Sequence, residues 1–111
     1  MGTITGEQPD IILIDDDKMI TDVWKAYASF AKKKIAIFHC SEDFKKVMHC
    51  YKKNIPIYID SDIKEKLPGE MFAKSLYEQE FQNLYLATGY EKDRFDDMPW
   101  IKDIVSKEPL F

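Results

Sequence analysis

The sequence changes from apolar to acidic within one short segment, Ile11-Ile12-Leu13-Ile14-Asp15-Asp16-Asp17. A short, continuous run rich in β-branched residues is typical of a parallel strand that is buried on both faces. Aspartate is favoured at the start of a helix, so one of the three carboxylates is expected to cap the helix that follows. The segment therefore predicts a buried strand over residues 11–14 that ends in acidic side chains.

Strand-like runs and helix-like segments alternate along the rest of the chain. Further strands are predicted over residues 35–38, 55–59, 84–87 and 104–106. Helices are predicted from Met19 to Ala31, from Ser41 to Tyr51 and over residues 69–79, with a short fourth helix over residues 91–98. In the first helix, the spacing of Trp24, Tyr27 and Phe30 predicts that all three face the core.

This alternation of strands and helices favours an α/β fold with a parallel sheet and helices on both of its faces. Right-handed crossovers leave few strand orders, and the flavodoxin-like order 2-1-3-4-5 is the natural one for five such strands. We therefore expect a doubly wound, five-stranded parallel sheet. The sequence ends at Phe111, soon after the fifth strand, so this fold is expected to lack a final fifth helix.

The length and composition fit one small domain. The chain has 111 residues, and we expect a flexible lead-in over residues 1–9 and a folded domain over residues 10–111. The net charge of −4 argues against direct binding to nucleic acid. The sequence shows no membrane-spanning apolar stretch, no signal-peptide pattern and only two cysteines, so we expect a cytoplasmic protein without a membrane partner.

Polar residues stand directly after the predicted strands and are expected to meet at one edge of the sheet. In open parallel sheets, ligands bind beyond the carboxyl ends of the strands, where the strand order reverses. Because the first and third strands would be neighbours, Asp15, Asp16 and Asp60 come together there, flanked by Thr88 and Lys107. Three carboxylates in one pocket repel one another unless they bind protons or a cation. Oxygen-only ligands suit Mg²⁺, so the sequence predicts a magnesium site.

The same arrangement predicts phosphoryl chemistry on Asp60. An aspartate can attack phosphorus to give an acyl phosphate, and Mg²⁺ would neutralise the charge that develops during the attack. Thr88 offers a hydroxyl to one phosphoryl oxygen, and Lys107 offers a positive charge to another.

In these features the sequence resembles the receiver domains of two-component response regulators. The matching motifs are Asp15-Asp16 after residues 11–14, Asp60 after residues 57–59, Thr88-Gly89 after residues 84–87, and Lys107 followed by Pro109. The motifs occur in the same order as in that family and extend over nearly all of the chain from Asp10 onward.

The resemblance implies a signalling module that catalyses only its own Mg²⁺-dependent phosphorylation and dephosphorylation. A histidine kinase or phosphotransfer protein would deliver the phosphoryl group to Asp60. Thr88 and Lys107 would be the switch residues that respond to it. The altered surface would then act on a downstream protein or an attached domain.

The resemblance also implies the ligands of the metal. Asp15 and Asp16 would be the acidic pair, Asp60 would contribute its carboxylate, and the backbone carbonyl of Asp62 would complete the set.

Two other functions fit parts of the sequence. A pseudo-receiver would keep the fold and act only as a protein-interaction domain; the charged segment after Asp60, Ile104 in place of an aromatic residue, and the inserted Glu108 favour it. A phosphatase of the haloacid dehalogenase type would use Asp60-Ser61-Asp62 as its Asp-x-Asp motif and Asp96-Asp97 as a later acidic pair. That function leaves the acidic run after the first strand unexplained.

Each site residue also has an ordinary structural explanation. The three aspartates after the first strand could serve only as helix caps, and Asp60 could simply form a turn. Thr88 could belong to an ordinary turn, and Lys107 could be a solvated lysine.

Overall fold

The fold is built on one sheet of five parallel strands. The structure is a computed structural model that describes residues 8–61, 68–95 and 97–109. The strands are β1 (Ile11–Ile14), β2 (Ile35–Phe38), β3 (Ile57–Asp60), β4 (Leu84–Ala87) and β5 (Asp103–Val105). Their order is β2-β1-β3-β4-β5, and every neighbouring pair is parallel. The predicted flavodoxin-like sheet is therefore confirmed, although β3 begins later and β5 slightly earlier than the sequence indicated.

Three α-helices lie within the described residues: α1 (Lys18–Phe30), α2 (Ser41–Val47) and α3 (Gly69–Glu78). α2 is shorter than predicted, because a 3₁₀ turn over Met48–Cys50 replaces its last part. Residues 106–109, which follow β5, form no helix. Within the described ranges, no helix has both the length and the apolar character needed to cross a membrane.

The prediction of a fourth helix over residues 91–98 is wrong. Only Lys92–Arg94 forms a helical turn, of the 3₁₀ type, and the described residues after it are irregular. Asp96 lies outside the described residues. The segment offers few apolar side chains, and a short helix without a packed face has little stability in water. Instead, Lys92 pairs with Asp103 at 2.9 Å and so ties the segment to β5.

Apolar clusters cover both faces of the sheet. On one face, α2 and α3 contribute Phe44, Phe72 and Leu76 to a buried cluster with residues of β1, β3 and β4. On the other face, α1 contributes Trp24 to a cluster with Ile11 and Leu13 of β1. All four residues of β1 are buried, as predicted for a strand whose alternate side chains point to opposite covered faces.

The prediction that Tyr27 and Phe30 belong to the core is wrong, whereas that for Trp24 is confirmed. Tyr27 is 51% exposed and Phe30 is 93% exposed, while Trp24 is buried with Thr21 and Ala28. No other helix of the described chain packs on this sheet face, so only the side of α1 that is directed at the strands is covered. Helical spacing identifies an apolar stripe, but it does not say which edge of the stripe meets the sheet.

Candidate functional site

The structure brings the predicted carboxylates together at the carboxyl ends of β1 and β3. Asp15 directly follows β1 and Asp60 is the last residue of β3, and these strands are paired through Ile14 and Ile59. Asp15 and Asp60 are buried, whereas Asp16 is exposed. Carboxylate oxygens of Asp15, Asp16 and Asp60 lie within 4.8 Å of one another. The strand order thus produces the acidic cluster that the sequence predicted.

Lys107 reaches the two buried carboxylates of this cluster. Its Nζ lies 2.8 Å from Asp60 Oδ1 and 3.3 Å from Asp15 Oδ2. Burial of the ammonium acts to lower the pKa of Lys107, but its hydrogen bond to Asp60 and the charges of Asp15 and Asp60 outweigh that effect and raise the pKa. Lys107 is therefore a charged partner of the acidic cluster and not a solvated surface lysine.

The backbone of Lys107 is held by a contact that the sequence did not reveal. β5 ends at Val105, so Lys107 stands in the segment beyond the strand. Its carbonyl oxygen accepts a hydrogen bond from the indole Nε1 of Trp24 at 2.9 Å. Since Trp24 is the buried anchor of α1 on the sheet, this bond fixes the segment from which Lys107 reaches the cluster.

The three consecutive aspartates after β1 have different tasks. Asp17 is the N-cap of α1, and its side chain accepts a hydrogen bond from the backbone N–H of Met19 at 2.9 Å. The backbone N–H of Asp17 in turn donates to Asp15 Oδ1 at 2.9 Å, which orients that carboxylate. One aspartate therefore caps the helix, as predicted, while Asp15 and Asp16 belong to the acidic cluster.

Thr88 lies at the end of β4, where the sequence placed it, and it is 2% exposed. Its Oγ1 accepts hydrogen bonds from Ser61 Oγ at 2.8 Å and from the backbone N–H of Tyr90 at 3.1 Å. Sequence reasoning missed Ser61, although its position between Asp60 and the loop that follows was a signal for a site residue.

Gly69 fixes the approach of α3 to the end of β3. A Cβ at this position would overlap the carbonyl oxygen of Asp60 and would lie 2.8 Å from its carbonyl carbon. The first residue of α3 must therefore be glycine for the helix to pack this closely against the end of β3.

Burial in the cluster changes the acidity of Asp15. Desolvation raises the pKa of Asp15 from 3.8 to about 6, and the neighbouring charge of Asp60 adds to the shift. The hydrogen bond from the Asp17 backbone and the charge of Lys107 act in the opposite direction, without cancelling it. In the absence of a bound cation, ionisation of Asp15 therefore lowers the stability of the folded state.

Asp15→Asn is expected to stabilise the metal-free protein at pH 7.5 by on the order of 2–3 kcal/mol, since the pKa of Asp15 rises from 3.8 to about 6 and one pKa unit corresponds to about 1.4 kcal/mol. The folded state binds the Asp15 proton more tightly than the unfolded state does, so the contribution of Asp15 to stability falls as pH rises from 3.8 to about 6. Asparagine stays neutral and keeps an oxygen for the Asp17 N–H. Urea denaturation in a chelator at pH 5 and pH 7.5 measures the difference.

Asp22→Asn is the matched control, because Asp22 is exposed and its hydrogen bond to Lys18 lowers the pKa of its carboxyl. This variant should gain no stability at pH 7.5. If Asp15→Asn were no more stable than wild type at that pH, the assignment of a costly buried charge to Asp15 would be wrong.

The donor set of the acidic cluster fits a magnesium ion. Oxygens on opposite sides of an octahedral Mg²⁺ lie about 4.2 Å apart, because each Mg–O distance is about 2.1 Å. Oxygens that lie within 4.8 Å of one another need only small movements to meet that requirement. Asp62, whose carbonyl the sequence added to the ligands, lies outside the described residues, so its role stays a prediction.

Solved structures of receiver domains share this fold, whereas no protein-family model and no curated protein matches the sequence. The response regulator protein TrrA from Thermotoga maritima, in complex with Mg²⁺ and BeF, is 19% identical, with a TM-score of 0.74 over 91% of this chain and 88% of that chain. A CheY-like receiver domain protein from Methanospirillum hungatei is 16% identical, with a TM-score of 0.73 and coverage of 91% and 82%.

The signal receiver domain of an HD domain-containing protein from Pseudomonas fluorescens is 13% identical, with a TM-score of 0.73 over 91% of this chain and 83% of that chain. The chain therefore has the fold of CheY-like response regulator receiver domains. At these identities the likeness establishes the architecture, and what the site does must be argued from its own residues.

Proposed function

We propose that this chain is the receiver of a two-component phosphorelay and accepts a phosphoryl group on Asp60. The observation that carries the proposal is the ion-pair network in which Lys107 Nζ contacts Asp60 at 2.8 Å and Asp15 at 3.3 Å, beside Asp16. This network joins a buried carboxylate, further acidic ligands and a positive charge at the ligand-binding edge of a receiver-type sheet. The donor would be the phosphohistidine of a histidine kinase or a phosphotransfer protein.

The chemistry of transfer follows from the residues around Asp60. A carboxylate oxygen of Asp60 attacks phosphorus, a P–O bond forms, and the P–N bond to the donor histidine breaks, with its electron pair leaving on the imidazole nitrogen. Lys107 pairs with the negative oxygens of the transferred group, and the Thr88 hydroxyl donates a hydrogen bond to one of them. Burial of Asp60 keeps bulk water from competing for these contacts.

Asp15, Asp16 and Asp60 are the residues that would hold Mg²⁺. When bound there, the ion supplies positive charge to the phosphoryl oxygens. Asp17, which is occupied as the cap of α1, keeps Asp15 oriented through its backbone N–H.

The proposed receiver is a switch and not an enzyme that acts on other molecules. Phosphorylation of Asp60 would alter the protein surface that a downstream protein or an attached domain contacts. A cytoplasmic location and the absence of direct nucleic-acid binding remain expectations from composition. The phosphatase alternative is weaker, because the acidic cluster of Asp15, Asp16 and Asp60 does not include Asp97, the described member of the proposed later pair.

The stoichiometry of phosphoryl transfer tests this proposal. With acetyl phosphate and Mg²⁺, the chain should take up about one phosphoryl group per molecule, bound as a hydroxylamine-sensitive acyl phosphate. It should show no continuing hydrolysis of a small phosphoester such as para-nitrophenyl phosphate. Sustained turnover of that ester would support the phosphatase instead. If the chain took up no phosphoryl group and bound no Mg²⁺, that result would support the pseudo-receiver.

A further inference from the structure

A hydrogen bond between Ser61 and the hydroxyl of Thr88 links the end of β3 to the end of β4. Ser61 follows Asp60 directly and is 8% exposed, and Thr88 is 2% exposed. Ser61 Oγ donates to Thr88 Oγ1 at 2.8 Å. The register that pairs Asp60 with Ala87 places these two residues opposite each other, immediately after paired strand ends.

The hydrogen bonds of Thr88 define what its hydroxyl can still do. A hydroxyl oxygen accepts two hydrogen bonds and donates one. Ser61 Oγ and the backbone N–H of Tyr90 occupy the two acceptor positions of Thr88 Oγ1. The hydroxyl proton remains available, and a negatively charged phosphoryl oxygen needs such a hydrogen-bond donor.

The backbone that carries Ser61 is held in place. A Cβ on Gly69 would lie only 3.0 Å from Ser61 Cα, so the start of α3 packs directly against this residue. Ser61 also continues from β3, whose last residue is paired with β4. The Ser61 hydroxyl therefore approaches Thr88 from a fixed position.

We propose that Ser61 is a positioning residue that holds the Thr88 hydroxyl as a hydrogen-bond donor toward the phosphoryl group on Asp60. The inference rests on the proposed function and deepens it, because it assigns part of the switch to a residue beside the acceptor. Through the Tyr90 N–H, the same hydroxyl connects the phosphorylated site to the segment after β4. If the bond only satisfied two buried hydroxyls, removing the Ser61 hydroxyl would not weaken phosphoryl binding through Thr88.

The first measurement uses the metal-free protein and does not depend on phosphorylation. In wild type, NMR scalar couplings should show Thr88 in one χ1 rotamer, and the amide of Tyr90 should report its hydrogen bond to Thr88 Oγ1. Ser61→Ala should lead to rotamer averaging at Thr88 and should shift the Tyr90 amide. Ser61→Cys, which keeps the volume but has a weak donor, should behave in the same way. A single unchanged Thr88 rotamer in both variants would overturn the inference.

The second measurement is a double-mutant cycle with Mg²⁺ and beryllium fluoride as the probe for the phosphorylated site. Ser61→Ala should weaken the apparent affinity for the probe at least three-fold when Thr88 is present. In a Thr88→Ala background the same change should have no further effect, because the hydroxyl that Ser61 positions is gone. Thermal unfolding of each variant checks that the comparison is made between folded proteins.

The outcomes separate the inference from the proposed function. Equal weakening by Ser61→Ala with and without the Thr88 hydroxyl, or no weakening at all, would contradict the positioning role of Ser61. If wild type did not bind Mg²⁺ and beryllium fluoride, the proposed function would be contradicted. In that case the metal-free couplings would still decide whether Ser61 fixes Thr88.

Discussion

Gly69→Ala is expected to lower the unfolding free energy by about 2–3 kcal/mol, the upper part of the usual range for overpacking. The added Cβ would overlap the carbonyl oxygen of Asp60 and lie 2.8 Å from the carbonyl carbon. These are backbone atoms at the end of a central strand, so no side-chain rotation can relieve the contact. Either α3 or the end of β3 must move, and a movement of β3 would displace the Asp60 carboxylate.

Gly89→Ala is the matched control, because a Cβ at residue 89 would meet no atom within 4 Å. Urea denaturation of both variants measures the loss of stability, and a Mg²⁺ titration measures the effect on the site. We expect Gly89→Ala to remain within about 0.5 kcal/mol of wild type. If the two alanine variants were equally stable, the close approach of α3 to Asp60 would be contradicted.

Lys107→Gln is expected to destabilise the metal-free protein at pH 7.5 by about 2 kcal/mol. Removing one partner of a buried ion pair leaves an uncompensated charge and costs about 3–5 kcal/mol, and the effect here is smaller because the Lys107 side chain is 23% exposed. The charges left without Lys107 are the carboxylates of Asp15 and Asp60. Mg²⁺ would replace the missing positive charge, so its addition should stabilise this variant more than it stabilises wild type.

Lys18→Gln serves as the control for Lys107→Gln. Lys18 pairs with Asp22 at 2.8 Å, but its side chain is 81% exposed. Exposed ion pairs contribute only about 0–1 kcal/mol, so this variant should be nearly as stable as wild type with or without Mg²⁺. Thermal unfolding in chelator and in excess Mg²⁺ measures both effects. Equal stability of Lys107→Gln and wild type in chelator would show that Lys107 does not compensate the buried carboxylates.

The acidic cluster could be predicted from the sequence because all strands of a parallel sheet end at the same edge. Residues that follow neighbouring strands therefore lie close together. Asp15 and Asp60 each follow an apolar run, and the order β2-β1-β3-β4-β5 makes those runs neighbours. Thr88 was predictable for the same reason. The functional roles of these residues remain predictions, whereas their common location is a property of the fold.

Other features depended on orientations that periodicity does not specify. Phe30 was placed in the same apolar stripe as Trp24, but it lies six residues further on, about 120° away around an α-helix. Only one side of α1 meets the sheet, so Phe30 is almost fully exposed. The bond from Trp24 to the Lys107 carbonyl joins residues that are distant in sequence. The bond from Ser61 to Thr88 depends equally on the register of β3 against β4. None of these contacts leaves a pattern in the sequence by itself.

The proposed function depends on Mg²⁺-dependent transfer of a phosphoryl group to Asp60. The most direct test is intact-mass measurement after incubation with acetyl phosphate and Mg²⁺, for wild type, Asp60→Asn and, as a control, Asp97→Asn, which changes an exposed carboxylate. We expect wild type and Asp97→Asn each to gain one phosphoryl group, and this gain should be lost in chelator. Asp60→Asn should gain none. A gain that persists in Asp60→Asn, or no gain in wild type, would contradict the proposed function.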